Sequence, residues 1–145
     1  MNLSPNFTLE ELTRSETAAR NGWDNTPNEA EIDNLKRLAA LLQQVKEAVG
    51  GKPIMINSGF RSKKVNDAVG SKDTSQHRLG CAADIRVPGM TPKQVVDACI
   101  EKGVPYDQII LEFDSWTHIS VSNTPEAAPR KQELVIDKQG TRAYG

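Results

Sequence analysis

Between residues 24 and 53, apolar positions recur at three- and four-residue steps. Ile32, Leu35, Leu38, Leu42, Val45 and Val49 fall on one face, which predicts an amphipathic helix. Gly50 and Gly51 stop it, and Pro53 prevents its continuation. Upstream, residues 7–24 read as a short helix and a loop. Thr8 followed by Glu11 fits a capping box, in which hydroxyl and carboxylate each satisfy a free backbone N–H. Downstream the elements shorten. PIMINS predicts a strand, and GFRS turns out of it. SKKVNDAVG predicts a small helix ended by Gly70, SKDTSQHRLG a polar loop and CAADIRV a strand. TPKQVVDACIEKG is a helix with Thr91 as cap and Pro92 at its first position. DQIILEF and WTHISV predict two strands joined by a tight turn through Asp114 and Ser115. QELVID is expected at a sheet edge, and residues 138–145 are expected to be a loose tail. Helices followed by mostly antiparallel strands make the fold class α+β. One domain is expected over residues 1–145, with residues 1–27 as an extension packed on it.

Composition narrows the function classes. The chain has 145 residues, 37% of them hydrophobic and 26% charged, and its net charge is -1. That length supports one modest core. That balance gives no electrostatic reason to expect nucleic acid or an anionic membrane as partner. No run reaches the roughly 20 apolar residues a bilayer requires. The N-terminus lacks a basic start and apolar stretch, so synthesis in the cytoplasm without a signal peptide is expected. Cys81 and Cys99 read as free thiols. Cys99 shares a helical stripe with Val95, Val96 and Ile100, which points to a core position.

The chemistry concentrates around the two histidines. His77 stands seven residues before Asp84 in SQHRLGCAADI, with His118 in LEFDSWTHISV. In this reading His77 lies in a loop, Asp84 on the following strand and His118 on a neighbouring strand. Gly80 and Ala82 permit the loop to fold back closely. Two imidazoles and one carboxylate can hold zinc and leave one position for water. Trp116, His118 and Ser120 share one strand face, which makes Trp116 a substrate-binding candidate. Glu112, a charge ending an apolar run, is a candidate general base. Asp114 competes for that role, although it suits the turn. Arg61 could bind a carboxylate in a bidentate fork or steady an oxyanion. Ser75 and Gln76 could donate hydrogen bonds to substrate. A cysteine peptidase using Cys81 with His118 as base is a competing class, weakened because a buried thiol is hard to ionise. A non-catalytic, zinc-stabilised peptide-binding domain is another.

These segments together resemble a known family. SQHRLGCAADI resembles the Ser-x-His-x-x-Gly-x-Ala-x-Asp signature of zinc D-Ala-D-Ala carboxypeptidases and their endopeptidase relatives. NSGFRSKKVNDAVGSKDTSQH is similar to the segment from the family's Ser-Gly-Tyr-Arg motif to its first histidine. EFDSWTHISV resembles one branch's second half, and the opening NFTLEELTRSETAARNGWDNTP resembles small phage-type members. The resemblance implies zinc on His77, Asp84 and His118, with Glu112 as base and Arg61 contacting substrate or transition state. It also implies Ser75 near the substrate's terminal carboxylate. The implied fold is the small one shared with the hedgehog signalling domain. The implied substrate is the stem peptide of bacterial peptidoglycan, cut as a carboxypeptidase or as an L-Ala–D-Glu endopeptidase. A monomeric phage or prophage lysis enzyme, or a tail-associated hydrolase, is the implied setting. A holin or tail delivery would bring it to the cell wall. Ser115 and Phe60 depart from the pattern, standing where other members carry an acid and a tyrosine.

Overall fold

The computed structural model describes all 145 residues. In chain order the elements are β1 (Asn2–Ser4), β2 (Phe7–Thr8), α1 (Leu9–Thr13), α2 (Glu16–Asn21), α3 (Glu29–Ala48), β3 (Met55–Ser58) and α4 (Lys63–Ala68). There follow α5 (Gln76–Leu79), β4 (Ala82–Arg86), α6 (Pro92–Glu101), β5 (Gln108–Glu112), β6 (Trp116–Ser120), β7 (Gln132–Asp137) and β8 (Gly140–Ala143). The fold is α+β, as its pattern predicts.

A six-stranded sheet in the order β3-β4-β6-β5-β7-β8 organises the molecule. One face carries Ala83, Ile85, Ile109 and Ile119. These pack with Leu35, Leu38 and Leu42 of α3 and with Val95, Val96 and Cys99 of α6 in one buried cluster. The stripe read from α3 is thus the side that meets the sheet. Capping boxes start α1 at Thr8, α3 at Asn28 and α6 at Thr91. Each satisfies backbone N–H groups that a helix start leaves free.

Four expectations change. Residues 7–24 hold two short helices rather than one, preceded by a small β1–β2 pair. The polar loop at 71–80 contains α5, one helical turn too short to show periodicity, and His77 sits on it. The tail is not loose. Lys138 and Gln139 turn, and β8 returns antiparallel on β7. β7 is therefore interior, and it runs parallel to β5, which makes the sheet mixed. QELVID carries no local mark of that direction, because a parallel neighbour is set by the connection from β6 rather than by residue type.

The N-terminal segment is tied to the sheet at one tight point. The Phe60 N–H donates to the Leu12 carbonyl at 2.8 Å. A Cβ at Gly59 would meet that carbonyl oxygen at 2.4 Å, so only glycine fits. Gly59→Ala is expected to cost about 1–3 kcal/mol, the usual range for overpacking. Urea denaturation checks it, and wild-type stability would refute the close approach.

Candidate active site

Antiparallel pairing sets Asp84 of β4 directly opposite His118 of β6, with Ile110 of β5 next along the same row. Ser58 of β3 lies on the other side of Asp84. Their chain neighbours Ala83, Ile85 and Ile119 enter the core, so alternation turns Asp84 and His118 to the opposite face. There they line a cleft of about 550 Å³ with His77, Arg61, Glu112 and Trp116.

His77 arrives on α5. Ser75 caps this turn, its hydroxyl accepting from the His77 N–H at 3.2 Å. Gly80 ends it at φ 80°, and a Cβ there would lie 2.8 Å from the Glu31 carbonyl oxygen. The His77 carbonyl accepts from the Arg61 N–H at 3.0 Å, which docks the turn against the segment after β3.

The imidazole geometry fixes a proton. His77 Nδ1 lies 2.8 Å from the Gly59 carbonyl oxygen. That oxygen can only accept, so Nδ1 carries the hydrogen, and Nε2 of the neutral ring presents a lone pair. Nε2 is 3.3 Å from Asp84 Oδ1, and His118 Nδ1 is 3.0 Å from the same oxygen. Burial lowers the His77 pKa, outweighing the nearby Asp84, and so favours the neutral ring. The ligand atoms of His77, Asp84 and His118 lie within 4.8 Å of one another. Lone pairs converging this closely repel unless a cation stands among them. A shared proton relieves one pair, whereas a divalent cation relieves all three. Neutral imidazoles and an ionised carboxylate are the state in which such residues bind a metal. The His77–Gly59 bond is the outer contact that commonly orients a ligating histidine.

Two further charged groups face this cluster. Glu112 Oε1 lies 3.8 Å from His118 Nδ1. Burial, reinforced by the charge of Asp84, raises the Glu112 pKa, against the opposing pull of His118 and Arg61. Arg61 Nε donates to Ser58 Oγ at 3.1 Å, and Nη2 lies 3.5 Å from Asp84 Oδ2. Burial lowers the Arg61 pKa, offset by Asp84 and Glu112. A guanidinium stays charged regardless.

The remaining candidates divide. Trp116 lines the cleft, and its Nε1 is buried without a partner. Gln76 also lines it, but Nε2 faces Asp107 Oδ2, the Val121 carbonyl and Asn123 Oδ1 at 3.1, 3.0 and 2.8 Å. Those acceptors engage the two hydrogens of Gln76, which the expected donation to a substrate would have to free. It retains a buried, unpaired Oε1, which can only accept. Asp114 sits in the β5–β6 turn at φ 50°, outside the cleft lining. Cys81 is 0% exposed, and burial raises its pKa. Its side chain belongs to the core and does not line the cleft. Burial likewise pushes Cys99 up to about 12. Both thiols are free. Sequence reasoning missed Gly59 as the acceptor for His77, and it missed the Asp107–Arg130 pair behind Gln76. The former had a signal in the glycine two residues before Arg61; the latter, 23 residues apart, had none.

Residues 5–120 match the family model described as Peptidase M15. The chain is 37% identical over 82 residues to the zinc D-Ala-D-Ala carboxypeptidase of Streptomyces albus G. The aligned stretch covers 55% of this chain and 31% of that relative, so the chain spans about a third of the relative's length.

Two outcomes are expected. Dialysis against zinc followed by elemental analysis should find one ion per wild-type chain, and His118→Ala should lose it. The second concerns Asp107. Burial pushes its pKa up, but bonds from Arg130 and Gln76 outweigh burial and lower it. A carboxyl whose pKa is lower folded than unfolded stabilises the fold above its unfolded value of about 3.9. That contribution fades as pH falls below this value. The stability gap between wild type and Asp107→Asn should therefore be large at neutral pH and shrink at pH 3. An equal gap at both pH values, read by urea denaturation, would contradict it.

Proposed function

The chain belongs to the peptidase M15 family, and from that premise we propose that it is a zinc peptidase hydrolysing amide bonds in peptidoglycan stem peptides. The D-Ala-D-Ala carboxypeptidase type is the reading its similarity to the Streptomyces relative favours. The observation that carries the proposal is the convergence of His77 Nε2, Asp84 Oδ1 and His118 Nδ1 beside Glu112 and Arg61 in one cleft.

His77, Asp84 and His118 would hold the ion. Bound zinc supplies Lewis-acid chemistry: it polarises a carbonyl oxygen and lets water act as a nucleophile near neutral pH. The protein's own residues do the rest. Glu112 takes a proton from the attacking water and passes it to the leaving amine. Its burial and its distance from the cluster suit that exchange, since a carboxylate with a raised pKa accepts and returns a proton more evenly. Arg61, held by Ser58, faces the same space and stabilises negative charge developing on the carbonyl oxygen. Ser75 and Trp116 line the walls against which the peptide lies. A phage or prophage wall-lysis enzyme is the setting we infer from the resemblance of the opening segment to phage-type members.

Glu112→Gln should keep its zinc while hydrolysis falls about 10²–10⁴-fold, the usual worth of a general base. Mass spectrometry of peptidoglycan fragments after incubation reads both rate and bond. Free D-alanine marks the carboxypeptidase, and split stems mark an L-Ala–D-Glu endopeptidase. Undiminished turnover in Glu112→Gln would move the base elsewhere. Inactivation by a thiol alkylator but not by a chelator would overturn the metal mechanism.

A further inference from the structure

The segment after β6 adds a side chain to the cleft. Arg130 precedes β7 and lines the cleft with its side chain 56% exposed. Asp107, only 3% exposed, anchors it. The Arg130 backbone N–H donates to Asp107 Oδ1 at 2.9 Å. Its Nε lies 3.2 and 3.1 Å from Oδ1 and Oδ2, and Nη2 donates to Oδ2 at 2.7 Å. Asp107 thus occupies the Nε–Nη2 edge of the guanidinium. The Nη1–Nη2 edge is left without a protein partner, and two parallel N–H donors there match a carboxylate. The side chain is already immobilised, so little rotamer entropy remains to be lost on binding.

The sheet places this edge. In the order β3-β4-β6-β5-β7, Arg61 follows β3 on one side of the histidine–aspartate cluster, and Arg130 precedes β7 on the other. With strands about 4.8 Å apart, β7 lies roughly 12 Å across the sheet from the line between β4 and β6, and Arg130 lies four residues along from Leu134, which shares the row of Ile110, His118 and Asp84. The long arginine side chain, turned toward Asp107 and the cleft, makes up part of that diagonal, and an extended peptide covers the rest in roughly three to four residues. The cleft lining is cationic at Arg61, Lys72 and Arg130, against Asp84 and Glu112. Asp73, next to Lys72, is engaged by Lys63 instead.

We propose that Arg130 determines specificity: its free guanidinium edge takes a substrate carboxylate about three residues from the bond that is cut. For a terminal D-alanine, only one residue lies beyond that bond, so the carboxylate is on the amino side. This subsite rests on the peptidase reading and deepens it.

The test uses two synthetic pentapeptides ending in D-Ala-D-Ala. They are identical except that the carboxylate of a glutamate at the second residue is free in one and amidated in the other. Wild type should cleave the free acid about tenfold more efficiently, with the difference in KM. Arg130→Gln should cleave both at the amidated level. Because that variant strips Asp107 of its cation, the Asp107→Asn/Arg130→Gln double variant is assayed beside it, with melting curves to show that each folds. Equal cleavage of both peptides by wild type would overturn the subsite. So would discrimination retained in either variant, or variants that slow both peptides by one factor, which marks a purely structural role. Failure of wild type to cleave either peptide is a different result: it removes the carboxypeptidase reading and the subsite together.

Discussion

The antiparallel pairing of β4 with β6 is the constraint on which the site depends. Its register sets Asp84 across from His118 and, one row on, Ile85 across from Thr117. Side chains alternate along a strand, so a slip of one residue would turn one of these two side chains into the helix-covered core. The core side prevents the slip. Ala83, Ile85 and Ile119 are fully buried, and each would have to trade places with a polar neighbour. The hydrophobic effect that packs α3 and α6 on one face therefore positions Asp84 and His118 on the other.

The third member of the cluster has a different kind of support. His77 stands on a single helical turn, which has little stability of its own. It is held by its neighbours: Ser75 at its start, Gly80 at its end, and the Gly59 carbonyl on its ring. Gly59 is in turn pressed against the Leu12 carbonyl of the N-terminal segment. Helix α1 thus bears on the orientation of the His77 imidazole through Gly59. On the far side of the cleft the segment after β6 does similar work, with Asp107, just before β5, joining α5 to Arg130 through its two oxygens.

The electrostatics of the cluster follow from the same burial. Low exposure disfavours a charged His77, and its Nδ1 hydrogen goes to the Gly59 carbonyl, which leaves Nε2 facing Asp84 with a lone pair. The outcome is a set of unshared electron pairs turned toward one point, which folding alone does not satisfy. The protein has been shaped to present an unmet demand for positive charge, and core packing supplies the stability to sustain it.

Local pattern was enough for much of this. The period of α3, the caps at Thr8 and Thr91, and the short alternating strands around Asp84 and His118 are properties of neighbouring residues, so they are legible along the chain. The pattern marked residues 77, 84, 112 and 118 as candidates, and the fold brings their side chains into one cleft. Tertiary structure alone decided the rest. The turn under His77 is shorter than any period, and the parallel direction of β7 depends on where the chain returns. Gly59 gains its role from a carbonyl 47 residues away, at Leu12. Likewise, Arg130 becomes part of the cleft only because Asp107 meets it there. Each of these is a contact between distant segments, and a contact of that kind leaves no mark on either segment by itself.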